Sequence, residues 1–242
     1  MSEHAATRIQ LFGQRGSGTN FLQKLIELNV PTLSVGFDFG YKHNLPVGLE
    51  RMGRDVQVCV ITRNPYDWVR SLHRQPWHVA ESMRSLDMDD FLRHPWHCVY
   101  DDQSGIKPDD EKFGTEMMFE RNPTTGLRYC NALAMRSDRL RRWWSMSEML
   151  PTTSRPVWWV QYESLIRYPL EMLTDLANAC ECDAPQVVKP VERYKGFRKG
   201  RRYQPTPQTP LSIPTRRWIE DQLDWEMETR LGYFPDCDGP DC

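Results

Sequence analysis

The sequence has 242 residues, of which 39% are hydrophobic and 26% are charged, and its formal net charge is −2. This is ordinary globular composition, so it argues against disorder, and the near-zero charge argues against whole-protein attraction to nucleic acid or anionic membrane. No apolar run approaches the roughly 20 residues that span a bilayer. The length suits one large α/β domain, and we expect a single domain over residues 1–242.

Cysteine usage and the first residues bear on the cellular compartment. Residues 1–4 lead directly into a strand-like segment without a basic region followed by an apolar stretch, so no secretory signal is visible. The seven cysteines are odd in number, scattered and without a CxxC pair. We therefore expect a reduced, cytoplasmic protein that holds no metal.

Apolar patterning predicts three strands. Residues 7–12 place Ile9 and Leu11 between polar neighbours, and residues 56–62 form a nearly unbroken β-branched run, as in a buried parallel strand. A third strand is predicted at residues 157–162.

Helices are predicted between and after these strands. The first opens at Thr19, and the second follows Pro65, which suits the first turn of a helix. Longer helices are predicted at residues 127–149, 163–179 and 215–232.

The alternation of strands and helices predicts an α/β fold with three layers: a mostly parallel central sheet with helices on both faces. Residues 75–122 are less regular and are predicted as a partly helical insertion over the sheet edge, and residues 189–214 as a basic, proline-containing loop. Ligands bind such sheets beyond the carboxyl ends of the strands, where the glycine-rich turn, Arg63 and Tyr162 fall.

The turn after the first strand has the parts of an anion-binding loop. Its glycines let backbone N–H groups curl around a phosphate, and the helix N-terminus adds a partial positive charge. Against the Walker pattern GxxxxGK[ST], Gly13 and Gly18 match, but Thr19 stands at the lysine position and Asn20 follows. Arg15 then supplies the positive charge of this P-loop-like strand-loop-helix. A tight turn without a ligand is the alternative interpretation.

A second candidate phosphate contact follows the second strand. Arg63 ends that strand, Pro65 opens the next helix, and Ser71 comes eight residues after Arg63. A guanidinium and a hydroxyl can hold a phosphate by charge and hydrogen bonds. A surface pair between Arg63 and Asp67 is the alternative.

Five short segments, in order along the chain, resemble the sulfotransferases that use 3'-phosphoadenosine 5'-phosphosulfate (PAPS). Residues 17–21 (SGTNF) are similar to the loop that binds the 5'-phosphosulfate, and Arg63 with Ser71 matches the pair that binds the 3'-phosphate. Residues 42–46 (KHNLP) resemble the segment with the catalytic base, which implies that role for His43.

The remaining matches lie further along the chain. Tyr162 and Glu163 resemble a strand ending near the adenine, and residues 197–200 (FRKG) resemble a segment at the 3'-phosphate. Loop chemistry and resemblance together assign co-substrate binding to these residues: Arg15, Gly16, Ser17, Gly18, Thr19, Asn20, Phe21, Arg63, Ser71, Tyr162, Arg198, Lys199 and Gly200.

The resemblance implies sulfuryl transfer from PAPS to a hydroxyl or amine by in-line displacement, with no metal. His43 acts as base, Arg15 stabilises the leaving group, and residues 75–122 shape the site of a small-molecule or sugar-like acceptor. No nucleic-acid partner is expected. Gly16 replaces the family's loop lysine, and His43 is one residue out of register, so His78 is the alternative base. The rival hypotheses are a P-loop kinase or NTPase and an inactive nucleotide-binding module.

Overall fold

The computed structural model describes residues 5–151, 154–193, 202 and 209–235. The chain forms two compact units. The first comprises residues 1–64 and 142–207, and the second comprises residues 65–141 and 208–242. In the described ranges, no helix is both long and apolar enough to cross a membrane.

The first unit is built on a four-stranded parallel sheet in the order β2-β1-β3-β4. Its strands are β1 (Arg8–Gly13), β2 (Ser34–Gly36), β3 (Val56–Thr62) and β4 (Trp158–Gln161). All seven residues of β3 are buried, as its β-branched run predicts. The α/β fold class is confirmed, but β2 was not predicted.

Helices cover both faces of this sheet. One face carries Leu11 and Ile61, which pack in one core cluster with residues of α1 (Thr19–Asn29) and α7 (Pro169–Cys180). On the other face, Phe12 stacks against Trp143 of α5 (Ala132–Met149) at 6.3 Å between ring centroids. This gives the predicted three layers.

Two predicted helices are wrong in extent near the third strand and before α5. The helix expected over residues 163–179 is two helices, α6 (Tyr162–Arg167) and α7, because Pro169 has no N–H and disfavours helical geometry at the residue before it. The helix expected from residue 127 begins at Ala132, where the side chain of Asn131 accepts a hydrogen bond from the N–H of Ala134.

The second unit contains most of the remaining helices. They are α2 (Pro65–Arg74), α3 (Glu81–Arg84), α4 (Met88–Arg93), the first part of α5, α8 (Ile213–Gln222) and α9 (Trp225–Arg230). The helix expected over residues 215–232 is therefore two, because Asp224 caps a new start by accepting from the N–H of Met227. The segment over residues 75–122 is partly helical, as predicted, and Trp96 from it is buried in the core of this unit.

A buried ion pair joins α5 to α9 within the second unit. The guanidinium of Arg136 donates two hydrogen bonds, of 2.5 and 2.7 Å, to the carboxylate of Glu228, and the two side chains are 0% and 1% exposed. Removing one partner of such a pair leaves an uncompensated buried charge.

We therefore expect Glu228→Gln to lower the free energy of unfolding by about 3 kcal/mol in chemical denaturation. Glu226→Gln is the matched control on the same helix, since Glu226 is 77% exposed and pairs with Arg230 at the surface. It should change stability by less than about 0.5 kcal/mol. Equal effects of the two substitutions would contradict this account.

Candidate nucleotide-binding site

The candidate site lies where the strand order reverses. β1 lies between β2 and β3, so the connection after β1 runs to one side of it and the next connection runs to the other. The carboxyl ends of β1 and β3 flank this switch point, which is where parallel α/β sheets bind ligands. Three predicted site segments follow strands of this sheet. Residues 14–18 come after β1, residues 42–46 lie in the connection between β2 and β3, and Arg63 comes after β3.

The glycine loop presents a row of backbone donors. Gly16 and Gly18 have φ values of 82° and 100°, a left-handed conformation that turns the chain sharply into α1. In the described part of the chain, no hydrogen bond uses the backbone N–H of Gly16, Gly18, Thr19 or Asn20. Backbone donors of this kind at the start of a helix can bind an anion, so the loop is a candidate anion-binding cradle.

The side chains of the loop hold its shape. Ser17 uses both its N–H and its hydroxyl to donate to the carbonyl of Gln14, at 3.1 and 2.7 Å. Arg15 is only 3% exposed. The ammonium of Lys42, from the segment after β2, donates to Oδ1 of Asn20 at 2.6 Å. A second cation therefore stands at the first turn of α1.

Arg63 is bound to the loop itself. Its Nη1 donates to the carbonyl of Gly16 at 3.1 Å, and its guanidinium lies 4.5 Å from the ring centroid of Tyr162. The backbone N–H of Asn64 donates to Oε1 of Glu163 at 3.0 Å, which fixes the turn that carries Arg63. Asp67, the partner that the alternative interpretation gives to Arg63, accepts a hydrogen bond from Arg70 at 3.0 Å.

Tyr162 packs directly on the glycine loop. Its ring meets that of Phe21 edge-on at 5.9 Å between centroids. A Cβ added at Gly18 would lie 2.4 Å from Cδ2 of Tyr162, so no side chain fits there without movement of the ring.

Gly18→Ala is therefore expected to destabilise the protein more than Gly105→Ala. Gly105 is the matched control, because its φ of 79° is also left-handed but no atom would lie within 4 Å of its Cβ. The control should lose about 1–2 kcal/mol from backbone strain alone. Thermal denaturation measures the difference. A Tyr162→Ala substitution should remove the extra loss at Gly18, and persistence of that loss would contradict the ring contact as its cause.

His43 is held against the same loop. The residue is 7% exposed, and Nδ1 lies 2.6 Å from the carbonyl oxygen of Gly13. A carbonyl only accepts, so Nδ1 carries the proton and a neutral ring has its lone pair on Nε2. The backbone N–H of Gly13 in turn donates to the carbonyl of Lys42. This geometry gives the imidazole the tautomer that a base acting through Nε2 requires.

The remaining predicted residues belong to the second unit or fall outside the described residues. Ser71 is half-buried on α2 in the second unit. His78, also in the second unit, is buried with Nδ1 2.7 Å from Oδ1 of Asp101. Arg198, Lys199 and Gly200 fall outside the described residues.

Two residues of the site were not predicted from the sequence. Lys42 was noted only as a neighbour of His43, and Glu163 only as part of a motif. Lys42 donates to Asn20, in the first turn of α1, and Glu163 accepts from the backbone N–H of Asn64, next to Arg63; these contacts span 22 and 99 residues of sequence. The fold alone creates these contacts, so no local pattern signals them.

Comparison with known proteins adds no family assignment: no family model and no curated protein matches this chain.

Proposed function

We propose that this protein is a sulfotransferase that moves the sulfuryl group of PAPS to a hydroxyl or amine acceptor. One arrangement carries the proposal. An anion cradle with four backbone donors, a guanidinium and a histidine bound to the cradle's own carbonyls all meet at the switch point of a parallel sheet. A cradle suits an anionic leaving group, and the histidine suits a proton transfer beside it.

The two phosphate-bearing ends of PAPS are assigned to two different parts of the site. The backbone donors and the positive end of α1 suit the 5'-phosphosulfate. Among the described residues, Arg63 is the cation that we assign to the 3'-phosphate. Its Nη1 also donates to the carbonyl of Gly16. Resemblance adds Ser71, Arg198 and Lys199 to that end.

The transfer itself needs positioning and charge stabilisation. The acceptor oxygen forms a bond to sulfur as the bond from sulfur to the bridging oxygen of the 5'-phosphate breaks. The acceptor proton passes to Nε2 of His43, and adenosine 3',5'-bisphosphate leaves. Arg15 and Lys42 are the cations that stabilise the charge developing on the bridging oxygen. Arg15 stays charged and cannot donate a proton to it, so its contribution is electrostatic.

A kinase or NTPase remains the rival enzyme, and an inactive nucleotide-binding module is the non-catalytic rival. Two features argue against a kinase. The loop has no lysine, since Thr19 stands at the Walker lysine position, and β3 ends at Thr62 with Arg63 after it rather than a carboxylate. A cytoplasmic location stays a prediction, supported by the free thiols of Cys59, Cys98, Cys130, Cys180 and Cys182.

Incubation with sulfur-labelled PAPS and a panel of phenols, alcohols and sugars tests the proposal. We expect label in at least one acceptor and stoichiometric adenosine 3',5'-bisphosphate. Phosphorylated product from labelled ATP, with no sulfated product, would support the kinase instead. Binding of PAPS without transfer to any acceptor would support the inactive module.

A further inference from the structure

A carboxylate lies beside the arginine that we assign to the 3'-phosphate. The backbone N–H of Asn64, the residue after Arg63, donates to Oε1 of Glu163 at 3.0 Å. A negative charge close to an anion-binding site weakens the binding of the anion. Electrostatics alone therefore gives no reason for a carboxylate at this place, and the reason must lie in what Glu163 holds.

The register of the sheet brings Glu163 to this position. In the parallel pair of β3 and β4, Thr62 lies opposite Gln161, and these are the last residues of the two strands. The residues that follow the strands therefore leave the sheet side by side. Arg63 and Asn64 follow β3, and α6 begins directly after β4.

The hydrogen bond to Glu163 orients the peptide group that follows Arg63. The donated N–H belongs to the peptide between Arg63 and Asn64, so holding it restricts the ψ angle of Arg63 and the direction in which its side chain leaves the strand. Asn64 is only 7% exposed, so water is a poor substitute for this acceptor. The bond is also charge-assisted, which makes it stronger than one between neutral groups.

The residue before Glu163 contacts the other end of the same arginine. The guanidinium of Arg63 lies 4.5 Å from the ring centroid of Tyr162, and Tyr162 and Glu163 are the first two residues of α6. One dipeptide therefore contacts both the main chain after Arg63 and its charged group. Binding groups that are held in place before the ligand arrives lose less conformational entropy when it binds.

We propose that Glu163 is a positioning residue for the 3'-phosphate: its carboxylate holds the peptide between Arg63 and Asn64, and this directs the Arg63 guanidinium towards the phosphate. The inference rests on the proposed function, because it assigns Arg63 to a phosphate of PAPS.

Two substitutions that both remove the charge separate the hydrogen bond from electrostatics. Glu163→Gln keeps an oxygen that can accept from Asn64, so we expect adenosine 3',5'-bisphosphate to bind as tightly as before or more tightly. Glu163→Ala removes the acceptor, so we expect binding to weaken roughly tenfold, the equivalent of about one hydrogen bond to the phosphate. Calorimetric titration of the full chain measures both. Glu171→Ala is the control, an exposed carboxylate in the first turn of α7, and should leave the affinity unchanged.

A double-mutant cycle tests whether Glu163 acts through Arg63. In an Arg63→Ala background, adding Glu163→Ala should cause no further loss of bisphosphate affinity, because the residue that it positions is gone. A general loss of folding would instead weaken binding in both backgrounds. Amide hydrogen exchange of Asn64 checks the bond without a ligand, and should be faster in Glu163→Ala but nearly unchanged in Glu163→Gln.

The outcomes distinguish this inference from the proposed function. Unchanged affinity in Glu163→Ala, an equal loss in Glu163→Gln, a further loss in the Arg63→Ala background, or unchanged exchange of Asn64 in Glu163→Ala would each overturn the role of Glu163 while the proposed function stands. If the unmodified protein does not bind the bisphosphate at all, the proposed function itself is contradicted, and this role with it.

Discussion

His43→Asn is expected to slow sulfuryl transfer by roughly 10²–10⁴-fold, the usual contribution of a general base. The side-chain NH2 of asparagine can take over the hydrogen bond that Nδ1 of His43 donates to the carbonyl of Gly13. The hydrogen bond to the carbonyl of Gly13 is then kept, but no imidazole Nε2 remains to take the proton from the hydroxyl or amine that is sulfated. Steady-state kinetics with PAPS measure the role of His43 as a base. Calorimetry with adenosine 3',5'-bisphosphate measures its role in holding the loop.

His43→Ala is the paired variant, because it removes both the base and the anchor. We expect it to lose turnover and also to bind the bisphosphate more weakly than His43→Asn does. If His43→Asn binds as weakly as His43→Ala, the residue is structural. If His43→Asn keeps normal turnover, another base, such as His78, must act.

Arg63→Ala is expected to weaken adenosine 3',5'-bisphosphate binding by a few hundredfold. A bidentate guanidinium–phosphate contact comprises two charge-assisted hydrogen bonds, each worth about 1.5–3 kcal/mol. The substitution also removes the bond to the carbonyl of Gly16 and the contact with the ring of Tyr162, so the cradle loses a support. Calorimetric titration measures the change directly.

Two further variants separate the charge from the geometry at this position. Arg63→Lys keeps the charge but loses the planar fork, so we expect an intermediate affinity. Arg54→Ala is the control, an exposed arginine in the turn before the other end of β3. It should leave affinity unchanged. Equal affinity of Arg63→Ala and the unmodified protein would remove Arg63 from the site.

The sequence predicts the parts of the fold whose signals are local and strong. β3 is found over the predicted residues 56–62 because a short, nearly unbroken run rich in β-branched residues is typical of a buried parallel strand. α1 and α2 begin at Thr19 and Pro65 as predicted, because glycine and proline mark those starts. β2 was missed because it has three half-exposed or exposed residues with no alternation, and only pairing with β1 makes it a strand.

In the candidate site, too, local features could be predicted and tertiary contacts could not. A glycine loop can be predicted from its own residues, and so can an arginine at the end of a strand. The bonds from His43 to Gly13 and from Lys42 to Asn20 cannot, since they depend on where the segment after β2 crosses the loop. The break between α6 and α7 could have been predicted, because Pro169 is visible in the sequence and its effect on the preceding residue is local.

Calorimetric titration with adenosine 3',5'-bisphosphate, with ATP as the control ligand, tests the central claim most directly. This ligand carries both phosphates that the cradle and Arg63 are proposed to hold. We predict tight binding that Arg63→Ala abolishes or greatly weakens, and much weaker binding of ATP. Clear ATP binding with no binding of the bisphosphate would contradict the sulfotransferase proposal and favour a kinase or NTPase.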